Sequence, residues 1–175
     1  MRLRGSGFWC ISLALTAALA ACKGGESGER RIAVGSPVPQ YSALSLAGDS
    51  VSLAGLRDKV VLLNVWATWC HPCRAEIPEL QELHTKYASR GLDVVGVSID
   101  AESDKEHISE FMKEFGMTYP IWRDPDERVS AQFLVLGVPT TYLLDRKGIL
   151  RWRTTGPIRP GDTTLVRAIE SALAQ

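Results

Sequence analysis

The sequence predicts an α/β domain in which a mixed central sheet is covered by helices. Three apolar runs rich in β-favouring residues carry that prediction: VVLLNVW at 60–66, LDVVGVSI at 92–99 and TTYLL at 140–144. Near-continuous runs of this length suit strands buried on both faces. Between and after them, apolar residues recur at helical spacing, so the order reads β, α, β, α, β, β, α.

Each element has its own signal. YSALSLAGDSVSL at 41–53 alternates around Gly48-Asp49 and predicts an N-terminal β-hairpin. The strand at 60–66 leads into a helix carrying Ile77, Leu80, Leu83 and Tyr87, which stops at Gly91. After the strand at 92–99 comes a helix over 104–115, with Ile108, Phe111, Met112 and Phe115 on one face. Ser103 with Glu106 predicts a capping box, and Gly116 a stop. The strand at 140–144 turns at Asp145-Arg146-Lys147-Gly148 into ILRW at 149–152, a second hairpin. Leu165, Ile169 and Leu173 mark a C-terminal helix.

The first 36 residues are of another kind. Arg2 and Arg4 precede an apolar run from Phe8 to Leu19, too short and weakly flanked for a membrane span and suited to a secretory signal. It ends in Leu-Ala-Ala-Cys at 19–22, which resembles the lipobox of bacterial lipoproteins. The expected organisation is a signal peptide at 1–21, a lipidated Cys22 with a flexible tether over 22–36, and a domain over 37–175. The simpler alternative is an ordinary signal with a chance cysteine. Of the four cysteines, Cys10 would leave with the signal and Cys22 would carry lipid. Cys70 and Cys73 would remain as the only thiols, outside the cytoplasm.

Charge narrows the partners. The chain is neutral overall, and loss of Arg2 and Arg4 takes it to about minus two. With no basic stripe, nucleic acid is not expected as a partner. The charged run at 102–106 suits a solvated helix face.

The chemistry concentrates in WCHPC at 69–73. The motif follows the first buried strand and opens the first helix, so Cys70 sits where unpaired N–H groups and a positive dipole end favour a thiolate. That lowers a thiol pKa from about 8.5. The Cys70 sulfur would be exposed and acidic, and Cys73, one turn further in, more shielded and placed to resolve a mixed disulfide. A purely structural disulfide is the other reading. A zinc site would need about four ligands; His84 and His107 lack supporting spacing, and His71 cannot easily complete a site formed by the cysteines on either side of it. No metal or cofactor is expected.

Strand, WATWCHPC, helix, then Val-Pro-Thr before a later strand resembles the thioredoxin fold. VVLLNVWATWCHPCRAEIPEL at 60–80 and GVPTTYLLDRKG at 137–148 resemble the TlpA/ResA-like branch of extracytoplasmic thiol–disulfide oxidoreductases, and the likeness spans 37–173. The 39 positions from Asp100 to Pro139 leave room for a central αβ insertion typical of that branch.

The resemblance implies roles. Cys70 would attack and Cys73 resolve. Pro139 would be the cis-proline facing the pair and Val138 would border the client; Trp69 would border it too, with simple packing as its alternative. Trp66 would be core, and Pro72 would suit the first helical turn. Pro78 would kink the helix. His71 would tune the potential towards oxidant by stabilising a thiolate, whereas Pro72 and the family lean towards reductant. Two departures stand out: the buried Asp of thioredoxins is Asn64 here, and its Lys partner is Gly96. Glu76 matches a glutamate of the branch and would act as base or tune the thiol; a purely structural carboxylate is its alternative.

The implied function is reduction of disulfides in client proteins, with apocytochrome c as one client class. Electrons would come from a membrane thiol transporter, and lipid would hold the protein to the membrane, on the periplasmic side in a diderm. Two alternatives are a peroxiredoxin-like thiol peroxidase and a non-catalytic binding lipoprotein. Against the first, the Thr and Pro that peroxiredoxins place three and seven residues before their cysteine are Ala67 and Leu63 here.

Overall fold

The computed structural model describes residues 32–175. The expected signal, lipidation site and most of the tether lie outside the described residues. Seven strands form one mixed sheet: β1 Ser42–Ser45, β2 Ser50–Ser52, β3 Val60–Trp66, β4 Leu92–Ser98, β5 Ile121–Arg123, β6 Thr140–Leu144 and β7 Leu150–Thr155, in the order β2-β1-β5-β4-β3-β6-β7. The helices are α1 His71–Tyr87, α2 Lys105–Glu114, α3 Arg128–Phe133 and α4 Thr163–Leu173. No helix among the described residues is long and apolar enough to cross a membrane.

β3 lies at the centre of the core because all seven of its residues are buried. It runs parallel to β4 and antiparallel to β6, with Val65 opposite Thr140. This antiparallel register brings the C-terminal end of β3 and the loop before β6 to one end of the sheet. The N-terminal hairpin forms as expected, with Gly48 at φ 99° in its turn. It extends the sheet by pairing β1 with β5.

Several local expectations change. The capping box does not form: Ser103 lies in a short 3-10 turn, Glu102–Asp104, and Asp104 occupies the N-cap without a side-chain hydrogen bond. The extra turn shifts the helix start one residue past the predicted cap. At the other end, Gly116 N–H donates to Lys113 O and Met117 N–H to Met112 O, a Schellman stop at Gly116 φ 63°. β7 runs to Thr155, beyond the predicted 149–152, because alternation at a half-exposed edge is weaker in apolar residues. The six-residue α3 has too few turns to show a period.

Gly96 is a packing position. An added Cβ there would fall 2.6 Å from Ile121 Cδ1 and 2.9 Å from Trp66 Nε1. The space beside Gly96 is thus filled by Ile121 and the Trp66 indole, which also packs on Phe111 with ring centroids 5.2 Å apart.

Candidate redox site

β3 delivers the chain into a turn, Ala67 to Cys70, closed by Cys70 N–H donating to Ala67 O at 3.1 Å. Cys70 is the N-cap of α1, and its Sγ accepts the Cys73 N–H at 3.2 Å. Cys70 and Cys73 form a disulfide with their Cα atoms 5.3 Å apart. Pro72 stands in the first turn of α1, where its missing N–H costs no helical bond. Pro78 lies inside the same helix.

Exposure corrects one expectation. An exposed Cys70 sulfur beside a shielded Cys73 is expected, yet Cys70 is 4% exposed and Cys73 1%. The Cys70 sulfur is bonded to Cys73 and accepts the Cys73 N–H at the helix end. Its neighbours Trp69, His71 and Pro72 stay exposed, Trp69 at 65%.

The Val138–Pro139 peptide bond is cis. Pro139 precedes β6, so the sheet register places it at the same end as the disulfide. The loop leading to it carries Leu136, 94% exposed, and Leu134, 47% exposed at φ 53°. Trp66 is buried in the core as expected.

Glu76 lies one helical turn beyond Cys73, on the same face of α1, and is 1% exposed. Its Oε1 accepts from Asn64 Nδ2 at 2.7 Å and its Oε2 from Ile158 N–H at 2.8 Å. Asn64 also donates to Thr141 Oγ1 at 2.9 Å. Burial pushes the Glu76 carboxyl up to about 7, against the two hydrogen bonds that favour its anion. Burial, with Glu76's charge second, also holds the Tyr119 hydroxyl above its ordinary range. Asn64 does not ionise, but it touches a carboxylate that can. The titratable group thus stands on the helix in this chain, and the strand supplies its amide partner.

A second buried cluster was not singled out by sequence reasoning. Asp100, 2% exposed, accepts from Thr68 N–H at 3.1 and 3.0 Å, Thr68 Oγ1 at 2.6 Å and Ser98 Oγ at 2.6 Å. Arg74 Nη2 donates to Thr68 O at 3.2 Å, and its guanidinium lies 5.4 Å from the Phe111 ring centroid. The available signal was a carboxylate directly after a doubly buried strand. Ile158 and Leu136 were missed as well. The first acts through its backbone, and the second was hidden within the apolar run FLVLGV at 133–138.

Comparison with known proteins agrees with this geometry. The AhpC/TSA family model matches residues 34–153. A thiol-disulfide oxidoreductase ResA from Geobacillus kaustophilus is 34% identical over 140 residues, 80% of this chain and 78% of the relative. The chain belongs to the ResA-like thiol–disulfide oxidoreductases of the thioredoxin superfamily. The thioredoxin-like protein YneN from Bacillus subtilis is 39% identical over 118 residues, 67% of this chain and 68% of the relative. Among solved structures, a candidate thiol:disulfide interchange protein DsbE from Chlorobium tepidum superposes with TM-score 0.74 at 30% identity, covering 82% of this chain and 99% of that one. A DsbF homologue from Corynebacterium diphtheriae gives TM-score 0.68 at 35% identity, over 83% and 89%. The Cys70–Cys73 pair is therefore that of a thiol–disulfide oxidoreductase acting on protein disulfides.

Proposed function

We propose that this oxidoreductase works outside the cytoplasm as a lipid-anchored reductant of client disulfides, apocytochrome c before haem attachment among them. The observation that carries the thiol-exchange step of this reading is Glu76, a buried carboxyl pushed up to about 7, one turn behind the resolving cysteine. The Cys70 thiolate attacks a client disulfide, and one client sulfur leaves as thiolate. Glu76 takes the Cys73 proton, Cys73 attacks the Cys70 sulfur, and the second client sulfur leaves. The client gains two electrons, its two thiolates take one proton from Glu76 and one from solvent, and the protein is left as the Cys70–Cys73 disulfide. A membrane thiol transporter restores the dithiol. Trp69, Val138 and the buried Pro139 border the client, and Leu136 is exposed on the loop that leads to Pro139.

The AhpC/TSA match favours a second reading, a thiol peroxidase. Leu63 and Ala67, where peroxiredoxins place Pro and Thr, are both fully buried hydrocarbon and give a peroxide no hydroxyl. Turnover by the reduced protein decides between the readings. A disulfide-linked peptide is expected to be reduced with dithiol as donor, whereas hydrogen peroxide as sole acceptor is not consumed. The reverse pattern would establish the peroxidase.

His71 is exposed at the first position of α1, beside Cys70. As the tuning residue, it stabilises the reduced thiolate. His71→Glu is expected to lower the potential of the couple by roughly 20 to 45 mV, which corresponds to about 1 to 2 kcal/mol for two electrons. Equilibration with glutathione reads the change, and an unmoved potential makes His71 a bystander.

Anchoring has its own test. Cys22→Ala is expected to move the protein from membranes to the soluble fraction with its thiol chemistry intact. Membrane association that survives the substitution would argue for an uncleaved N-terminal helix.

A further inference from the structure

We propose that Asp100, acting through Thr68, is the positioning residue that holds the Cys70 sulfur at the N-terminus of α1. The inference rests on Cys70 being the attacking sulfur.

Thr68 stands two residues before Cys70, and all its polar groups are engaged. Its N–H and hydroxyl donate to Asp100, and its carbonyl accepts from Arg74. Thr68 thereby ties the end of β4 to the first turn of α1. Ile99 N–H donates to Trp66 O at 3.0 Å, so the segment is held to β4 at both ends. The next link is the turn from Ala67 to Cys70, and then the Cys73 N–H on Cys70 Sγ.

Asp100 is an expensive way to hold a loop if the loop has no task. A buried carboxylate loses its hydration and must recover it from donors. Here the donors are neutral: one backbone N–H and two hydroxyls, from Thr68 and Ser98. Two of these three come from the segment that presents Cys70. A loop held in this way keeps the sulfur within reach of the Cys73 N–H. If the loop loosens, the thiolate loses that donor.

The test uses the full chain in reduced form. Thr68→Val removes the hydroxyl and leaves the charge of Asp100 in place, so electrostatic and positional effects do not oppose each other. Thr68→Ser restores the hydroxyl. Losing a hydrogen bond to a charged group should slow alkylation of Cys70 near neutral pH by about tenfold or more in Thr68→Val. The same change should move the Cys70 titration upward and shift the glutathione equilibrium towards the oxidised protein. Thr68→Ser should match the unaltered protein in all three. In an Asp100→Ala background, the Thr68→Val change should have no further effect.

If Asp100→Ala does not fold, the Thr68 pair decides alone. A Thr68→Val protein of altered stability but unaltered thiol titration would overturn the inference. So would a Thr68→Ser protein displaced as far as Thr68→Val, since packing alone would then explain both. Alkylation of Cys73 before Cys70 in the unaltered protein refutes the assignment of roles and this inference together. Cys70 reacting first, with Thr68→Val unchanged, refutes only the positioning.

Discussion

Cys73→Ser will stop turnover and leave the protein covalently joined to its client. The geometry separates the two sulfurs. Cys70 caps the helix and its sulfur receives the Cys73 N–H, whereas Cys73 lies within the first turn and caps nothing. Attack by Cys70 on a client disulfide needs no help from Cys73. Release of the client does, because only a second sulfur held beside the first breaks the mixed disulfide quickly. An intramolecular thiol has a very large effective concentration, so its loss should cost on the order of 10³-fold or more in turnover. Cys70→Ser should form no adduct at all. Non-reducing electrophoresis with a disulfide-linked client reads both variants. An adduct in Cys70→Ser and none in Cys73→Ser would exchange the roles, and undiminished turnover in either would end the two-cysteine mechanism.

Glu76→Gln should have the second largest effect. The amide matches the carboxylate in size and cannot take the Cys73 proton. General base catalysis of this kind contributes about 10²-fold or more, so client release should slow by that order. The pH dependence of release should also lose its inflection near pH 7, where Glu76 titrates.

Stability adds a check with a definite sign. The folded Glu76 carboxyl has a pKa of about 7, against an ordinary 4.5. Between these values the folded state binds more protons than the unfolded state. The advantage of the neutral carboxyl is therefore complete below pH 4.5 and is lost as pH rises through about 7. For this group it is on the order of 3 kcal/mol. Denaturation midpoints of the unaltered protein should fall across that window, and those of Glu76→Gln should lack this component. A release profile that keeps its inflection in the variant would assign the titration to another group and make Glu76 structural.

The two departures from the thioredoxin pattern take on meaning only in the folded molecule. Asn64 and Gly96 read along the chain as the loss of a proton-handling pair. In space they are register partners on β3 and β4. Asn64 donates to Glu76, and Trp66 and Ile121 fill the space beside Gly96.

The sequence by itself determined the strands at 60–66, 92–99 (one residue longer than β4) and 140–144, the helix that begins after Cys70, and the CxxC pair at its start. Those features are local: burial on both faces writes a continuous apolar run, helical packing writes a period, and a redox pair on one helical turn needs a fixed spacing. Only the tertiary structure decided the rest. The Asn64–Glu76 bond spans 12 positions, Thr68–Asp100 spans 32 and Ile158–Glu76 spans 82. A buried polar group must find its partner wherever the fold brings one, and that partner leaves no periodic trace in the chain. Burial of the Cys70 sulfur and the raised Glu76 carboxyl follow from the same cause. Both depend on what other segments pack around the site, and desolvation is a property of the assembled core.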